Sequence, residues 1–182
     1  MAAPSLGEEQ VAVLDEDGAV VDVRPRSEVR RLNLRHAATG VLLRHPDGRI
    51  LVHRRSPDKD WMPSAHDAAA GGVLQAGEEP DGAAARELAE ELGVTGVPLE
   101  KLLTGRYDDD TTRYVAHLYE ATYDGSLHFA DGEVVWGAWM TLEELSDLLA
   151  DPGWPFVPDT RALLERLARD GVADYTRLRR SD

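Results

Sequence analysis

The 182-residue sequence predicts an α/β domain in which a mixed β-sheet lies between helices. Short apolar runs, typical of strands, stand on both sides of a helical segment between Pro80 and Gly93 that carries acidic side chains. Further helical segments follow late in the chain, after the last predicted strand. The length suits one domain with a sizeable core, and no shift in composition marks a second one.

The predicted strands follow from apolar runs that are bounded by turn residues. An Asp-Glu-Asp-Gly turn joins the first two runs into a β-hairpin, and His-Pro-Asp-Gly joins the next two into a second hairpin. The fourth run alternates poorly, which predicts a largely buried strand. The predicted strands span residues 10–14, 19–23, 36–43, 49–55, 68–73, 99–105, 112–121 and 133–140.

The predicted helices are recognised by their start and stop residues. A short helix over residues 27–32 has Ser27 as its expected N-cap. Pro80 and Gly93 bound the acidic helix. Thr141 with Glu144 three residues later forms a capping box for a helix through residue 149. The last helix starts at Asp159 or Thr160 and runs through Leu167.

The acidic helix carries the main chemical clue. Glu87, Glu90 and Glu91 stand at i, i+3 and i+4, so they share one face of the helix. Carboxylates this close repel each other by about 3 kcal/mol per pair at an effective dielectric constant near 20. A cation among them is therefore expected, and Mg²⁺ or Mn²⁺ suits these hard oxygen ligands. The opposite face, with Ala84, Leu88 and Leu92, is expected to dock on the core.

This stretch also resembles a known family motif. It contains Gly72, then Glu78 after five residues, then after seven more the run Arg86-Glu87-Leu88-x-Glu90-Glu91-x-Gly93-Val94. The pattern resembles the complete Nudix box, and so many fixed positions make the match far more specific than a lone glycine motif.

The Nudix resemblance implies a fold and a domain organisation. The implied fold is a Nudix-type α/β/α sandwich with a mixed sheet, over residues 34–170. Residues 1–33 form an N-terminal extension with a β-hairpin, and residues 171–182 form a C-terminal tail. Its charged part, Tyr175 to Asp182, is expected to be mobile.

The resemblance also implies an activity and roles for residues. The activity is metal-dependent hydrolysis of a diphosphate linkage in a nucleoside diphosphate joined to another moiety, or in a similar organic diphosphate. Glu90, Glu91 and the carbonyl of Gly71 are the implied metal ligands, and Glu87 is a ligand or the general base. The metal would neutralise phosphate charge and lower the pKa of an attacking water. Glu78 matches a box position that supports the helix and the metal site, through Arg86 or water. Glu133 stands where some Nudix hydrolases have an extra catalytic or metal-binding acid, with a loop carboxylate at the start of a strand as the equal alternative.

The residues expected to meet the substrate are less specific. His53, Arg54, Arg55 and Lys59 precede the box and are candidates to bind phosphates, with exposed charge as the alternative. Trp154 either lines the pocket or pins the last loop to the core. His36 is expected to be structural.

The segments around His36, residues 48–55, Trp61 and residues 154–158 are similar to the isopentenyl-diphosphate isomerase branch of the same superfamily. That branch uses a cysteine and a histidine where this sequence has Gly71 and Val73. Isomerase activity is therefore disfavoured, while an isomerase-like hydrolase fits. A catalytically inactive nucleotide-binding domain is the other alternative, and the intact acids argue against it.

Composition limits the remaining classes. The net charge is -14, with 20 Lys and Arg against 34 Asp and Glu, so general nucleic-acid binding is not expected. There are no cysteines, which excludes disulfides and a cysteine nucleophile. No signal peptide or membrane-spanning run is found, so a cytoplasmic protein without membrane attachment is expected. The expected partner is a small-molecule diphosphate substrate, and a homodimer stays open.

Overall fold

A seven-stranded mixed sheet forms the centre of the molecule, and a separate two-stranded sheet precedes it. The structure is a computed structural model that describes residues 8–59 and 61–178. The strands are β1 Gln10–Leu14, β2 Val20–Pro25, β3 His36–Arg44, β4 Ile50–Arg55, β5 His66–Asp67, β6 Ala69–Val73, β7 Glu100–Asp108, β8 Arg113–Thr122 and β9 Val134–Met140. The helices are α1 Arg26–Arg31, α2 Pro80–Leu92, α3 Leu142–Ala150 and α4 Pro158–Asp170, followed by a 3-10 helix at Ala173–Leu178.

Strands β3 and β4 organise the sheet. Strand β3 pairs in parallel with β8 and antiparallel with β6, which makes the sheet mixed. Strand β4 pairs antiparallel with β9 along most of its length and with β5 at its end. The predicted hairpin of β3 and β4 is present but short, with Arg44 and Ile50 as the pair across its turn. Beyond this pair the two strands bond to other strands of the sheet.

Helices cover both faces of the sheet, as the α/β/α prediction requires. Alternate residues of β3 divide between the two layers of core, because successive side chains of a strand point to opposite faces. Val41 and Leu43 pack in the cluster that contains Leu88 of α2. Leu42 packs in the cluster that contains Leu145 of α3 and Leu164 of α4. The predicted docking face of α2, with Ala84, Leu88 and Leu92, is buried.

The N-terminal extension forms its own small unit against the sheet. Strands β1 and β2 make the predicted hairpin. Helix α1 begins one residue earlier than predicted, with Pro25 before it and no side-chain cap from Ser27. Its buried Val29 joins Val11 and Val13 in a third cluster, against which Val73 of β6 packs. The extension therefore lies beside the end of the strand that leads into the acidic helix.

The end of the described chain differs from the predicted mobile tail. The 3-10 helix buries the Tyr175 ring completely, and the Tyr175 hydroxyl donates to Glu120 Oε2 at 2.5 Å. An aromatic ring that fills the core and places its hydroxyl on a carboxylate holds this segment in place. Residues 179–182 of the predicted tail lie outside the described residues. Among the described helices, none combines the length and the apolarity needed to cross a membrane. The cytoplasmic location stays a prediction.

Candidate active site

Two glycines near the end of β6 allow close approaches, Gly71 to the neighbouring strand β3 and Gly72 to the acidic helix α2. A Cβ on Gly71 would lie 2.0 Å from the Thr39 carbonyl oxygen, and a Cβ on Gly72 would lie 2.5 Å from Glu87 Oε1. A methyl group at either position would displace the neighbouring atoms. Helix α2 has Pro80 in its first turn and ends at Gly93, whose φ of 70° is left-handed. The absence of a side chain at Gly72 therefore leaves room for the Glu87 carboxylate.

The predicted acidic face of α2 is present, but its carboxylates differ in burial. Glu87 and Glu91 are 9% and 3% exposed, whereas the Glu90 side chain is 53% exposed. The Gly71 N–H donates to Glu91 Oε2 at 3.1 Å. Burial raises the pKa of both the Glu87 and the Glu91 carboxyl, and their mutual repulsion raises the pKa of Glu91 further. These two carboxylates form the buried end of the site.

Arg86 organises one half of the carboxylates. Its guanidinium binds Glu78 in a bidentate manner, with Nε to Oε1 at 2.9 Å and Nη2 to Oε2 at 3.0 Å. Its Nη1 donates to Glu87 Oε1 at 2.8 Å and to Glu90 Oε2 at 3.1 Å. The pKa of Arg86 is raised, chiefly by the hydrogen bond to Glu78. The sequence already suggests that Glu78 acts through Arg86, and the two residues do pair. The pair leaves Arg86 in position to bind Glu87 and Glu90.

Lys59 organises the other half. Its ammonium group donates to Glu133 Oε2 and lies 3.8 Å from Glu91 Oε1. The loop before β9 therefore brings Glu133 to the acidic helix, although 74 positions separate it from Lys59. Three of the predicted site residues, Lys59, Glu91 and Glu133, lie together.

The donor set suits a hard divalent cation. Its atoms are carboxylate oxygens, and two of the carboxylates are nearly buried with raised pKa values, so a cation beside them relieves a real electrostatic cost. Within residues 8–59 and 61–178, no three acidic or histidine side chains converge as a ready-made metal cage. Arg86 and the Lys59 ammonium are the cations that contact these carboxylates.

A cavity of about 390 Å³ adjoins this acidic face. Gly71 and Gly72, which contact Glu91 and Glu87, belong to its lining, as do Arg55 and Lys59. Arg55 Nη2 donates to the Trp61 carbonyl oxygen at 3.1 Å, while the buried Arg55 Nε has no hydrogen-bond partner within the described chain. The cavity therefore presents cationic donors close to the buried carboxylates.

Two predicted substrate residues lie elsewhere. Arg54 is exposed and does not line the cavity, because it points to the opposite face of β4 from its neighbour Arg55. Trp154 also stays outside the lining. The centroid of its ring lies 5.1 Å from that of the His66 ring, on which it stacks, and 4.9 Å from that of the Phe156 ring. Trp154 therefore packs the last loop against the core. The structural alternative for Trp154 is the one observed.

The two histidines considered from the sequence, His53 and His36, have structural environments. His53 is 2% exposed and its pKa is lowered to about 3, mainly by burial and then by Arg55 and Lys59, so it is neutral and does not serve as a phosphate-binding cation. His36 is buried, and its pKa is lowered to about 4 by burial. Its Nδ1 bonds the Leu34 carbonyl oxygen at 3.0 Å, and its ring forms part of the cavity wall.

Sequence reasoning missed a buried acidic group at one end of the cavity. Asp67 is 6% exposed, and its Oδ2 atom lies 3.9 Å from Arg55 Nη1. The Tyr114 hydroxyl donates to Asp159 Oδ2 at 2.8 Å. Burial raises the pKa of Asp159 to about 6, with a further contribution from Asp67. Nothing in the local sequence marks these residues, because three separate segments bring them together.

It also missed a basic group from the extension. Arg26, Arg30 and Arg31 of α1 line the cavity. The sequence places Arg30 and Arg31 at the C-terminal end of this short helix, where basic side chains are favourable, and it gives no sign that they reach a cavity.

Comparison with known sequences shows the family of the chain. The family model described as NUDIX domain matches residues 34–161. Uncharacterized Nudix hydrolase orf19 of Rhodococcus erythropolis is 42% identical over 167 residues, covering 86% of this chain and 90% of the relative. Uncharacterized Nudix hydrolase YfcD of Escherichia coli K12 is 36% identical over 138 residues, covering 76% and 77%.

The fold comparison agrees as well. The crystal structure of DR0079 from Deinococcus radiodurans superposes with a TM-score of 0.75 at 28% identity, covering 87% of this chain and 98% of that one. The NUDIX domain of Shewanella oneidensis NrtR, solved with ADP ribose, shares the fold at 20% identity with a TM-score of 0.60, covering 75% and 88%. The chain belongs to the Nudix hydrolase family. The Nudix prediction is thus confirmed, whereas the isomerase-like branch stays a resemblance.

Proposed function

We propose that the protein hydrolyses the diphosphate linkage of a nucleoside diphosphate joined to another moiety, or of a similar small organic diphosphate, with Mg²⁺ or Mn²⁺ as cofactor. The observation that carries the proposal is the position of Glu91. Its buried carboxylate lies between the Gly71 N–H, Lys59 and the second carboxylate Glu87, at the edge of a cavity lined by Arg55.

Glu90, Glu91 and the Gly71 carbonyl would hold the metal, and Glu87 would be either a further ligand or the general base. When bound, the metal supplies charge neutralisation to the diphosphate and makes a nearby water more acidic. Arg86 keeps Glu87 and Glu90 in position through the hydrogen bonds described above, and Glu78 fixes Arg86 in turn.

Arg55 and Lys59 bind the phosphate oxygens. Arg55 has a buried Nε donor without a partner in the described chain, and a phosphate oxygen in the cavity satisfies it. Lys59 contacts Glu91 and Glu133, so its ammonium is held at the junction of the acidic face and the cavity. The proton of the attacking water goes to a carboxylate, and Glu87 and Glu133 are the two candidates for this base.

The substrate panel for the test includes nucleotide sugars, ADP-ribose, dinucleotides, nucleoside triphosphates and isoprenoid diphosphates, each with Mg²⁺ or Mn²⁺. ADP-ribose is included because one solved Nudix domain of the same fold holds it. We expect release of phosphate or nucleotide from at least one compound, and loss of that activity in excess EDTA.

The variant Glu91→Gln is expected to lower turnover at least about tenfold, since it removes a charge at the metal site. Glu165→Gln is the matched control, because Glu165 is an exposed acid on the far helix α4. Full activity of Glu91→Gln contradicts the assigned role. Double-bond migration in isopentenyl diphosphate without hydrolysis makes the protein an isomerase instead.

A further inference from the structure

The N-terminal extension contributes a wall of the cavity although it lies outside the matched Nudix residues 34–161. Helix α1 supplies Arg26, Val29, Arg30 and Arg31 to the lining. Val29 is 2% exposed and packs in the cluster that contacts Val73, so the helix is anchored beside the end of β6. Its basic side chains are therefore held at the cavity by a hydrophobic contact.

The charge of this cavity is opposite to that of the protein. The chain has a net charge of -14, yet five of its 20 Lys and Arg residues line the cavity, against two acids, Asp67 and Asp159, among the described lining residues. Such a concentration of cations in a concave site attracts an anionic ligand.

The five cations form two groups, Arg55 with Lys59 on one side of the cavity and the three arginines of α1 on the other. Arg55 lies near Asp67, whose Oδ1 accepts the Ala69 N–H at 3.1 Å, at the start of β6. Lys59 lies beside Glu91, which accepts the Gly71 N–H in the middle of that strand. Helix α1 packs near Val73 at its other end. Four residue steps separate Ala69 from Val73, which is about 13 Å along a strand. The two phosphates of a diphosphate share one bridging oxygen and are much closer together than this.

The electrostatic partners of the two groups are different as well. Arg26 acts on His36 and Glu87, and Arg30 acts on His36. Arg55 acts on Asp67 and His53, and Lys59 acts on Glu91 and His53. The Asp67 end also carries Asp159, so a further anionic group is repelled there. Among the described lining residues at the α1 end there is no carboxylate, although the Glu87 carboxylate lies against the lining residue Gly72.

Not every basic side chain of α1 forms an ion pair within the described part of the chain. Arg26 Nη1 is 3.2 Å from Glu9 Oε2, with 19% of the Arg26 side chain exposed. Arg31 is exposed and forms no ion pair with the part of the chain that the structure describes. A ligand anion at this end therefore gains contacts from Arg31 without breaking an existing pair.

We propose that Arg26, Arg30 and Arg31 form an anion subsite for a phosphate group of the substrate other than the diphosphate that is hydrolysed. This inference rests on the proposed function and narrows its substrate class. The substrate is an organic diphosphate with an additional phosphate, either as a longer phosphate chain or as a phosphomonoester on the organic part.

The test measures binding by calorimetry in EDTA, where no metal-dependent hydrolysis takes place. The probes are ADP against ATP, and ADP-ribose against its 2′-phosphate. We expect the wild-type protein to bind ATP or the 2′-phosphate about tenfold tighter than its parent compound, the size of one charge-assisted hydrogen bond. The compound that shows the preference distinguishes a longer chain from a phosphomonoester.

The triple variant Arg26→Gln, Arg30→Gln and Arg31→Gln is expected to reduce this preference below twofold. Arg31→Gln alone is expected to reduce it in part, and it guards against loss of folding through the pair of Arg26 with Glu9. Arg24→Gln is the matched control, because Arg24 is in the same segment but pairs with Asp22 and Glu28 and does not line the cavity.

Two results overturn the inference: no preference in the wild-type protein, or a preference that survives in the folded triple variant. Equal weakening of parent and phosphorylated probes also overturns it, because the α1 cations then bind the same phosphates as Arg55 and Lys59. None of these results depends on turnover. A failure here therefore leaves the hydrolase proposal standing, and a failure of the Glu91→Gln test leaves the anion subsite standing.

Discussion

Burial of His53 should make the protein sensitive to acid. The imidazole is 2% exposed, and its Nδ1 has no hydrogen-bond partner within the described residues. Burial, followed by Arg55 and Lys59, lowers its pKa from 6.5 to about 3. Between these values the unfolded chain binds more protons than the folded protein. The stability contribution is therefore complete above pH 6.5 and is lost progressively as the pH falls toward 3.

The size of the effect follows from this pKa difference. Lowering the pH from about 7.5 to about 5 protonates His53 in the unfolded chain but not in the folded protein, which costs about 2 kcal/mol of stability. The variant His53→Gln cannot take up this proton. Its free energy of unfolding is expected to fall about 2 kcal/mol less than that of the wild-type protein over the same pH change.

The measurement is urea unfolding of both proteins at the two pH values. A constant loss of packing in His53→Gln cancels in the comparison, and other titrating groups affect both proteins alike. His128→Gln serves as the control for replacing a histidine by glutamine, because His128 is exposed. The reasoning is refuted if His53→Gln and the wild-type protein lose the same free energy between the two pH values.

Three further predictions concern a close contact, a helix cap and a buried ring. Gly72→Ala should lower kcat at least about tenfold, since the added methyl would lie 2.5 Å from Glu87 Oε1. Gly82→Ala is the control: its added methyl meets no atom within 4 Å, so kcat should stay unchanged and the folded protein should be stabilised by up to about 1 kcal/mol. Thr141→Ala should cost about 1 kcal/mol of unfolding free energy with activity intact, because it removes the helix cap; equal melting temperatures would argue against the cap. Tyr175→Ala should cost about 3 to 5 kcal/mol by calorimetry, and a loss below 1 kcal/mol would show that the 3-10 helix does not matter for stability.

Local patterns were enough for the elements with strong end signals. The acidic helix α2 was predicted from Pro80 and Gly93, and the helix after Thr141 from its capping box with Glu144. These features involve residues a few positions apart, so the sequence contains them directly. The Nudix box, with Arg86 and its glutamates, was recognisable for the same reason.

Predictions that depend on distant pairing were less complete. The second hairpin was expected because β3 and β4 are joined by a turn, but β4 pairs mainly with β9, which is far along the chain. The tail was expected to be mobile from its charge, yet Tyr175 finds a buried position against Glu120. Charge and turn residues do not reveal which distant surface a segment will cover.

The fold class, the family and the carboxylate face of α2 can be predicted from the chain alone, because one periodic helix and one dense motif contain that information. The surroundings of Glu91 follow from packing between distant segments: Lys59 and Glu133, which are 74 positions apart, meet beside it, and Arg55, Asp67 and α1 line a cavity next to it. The physical reason is that the hydrophobic pattern of a sequence shows which face of a helix or strand is buried. A functional site depends instead on which helices and strands pack against each other.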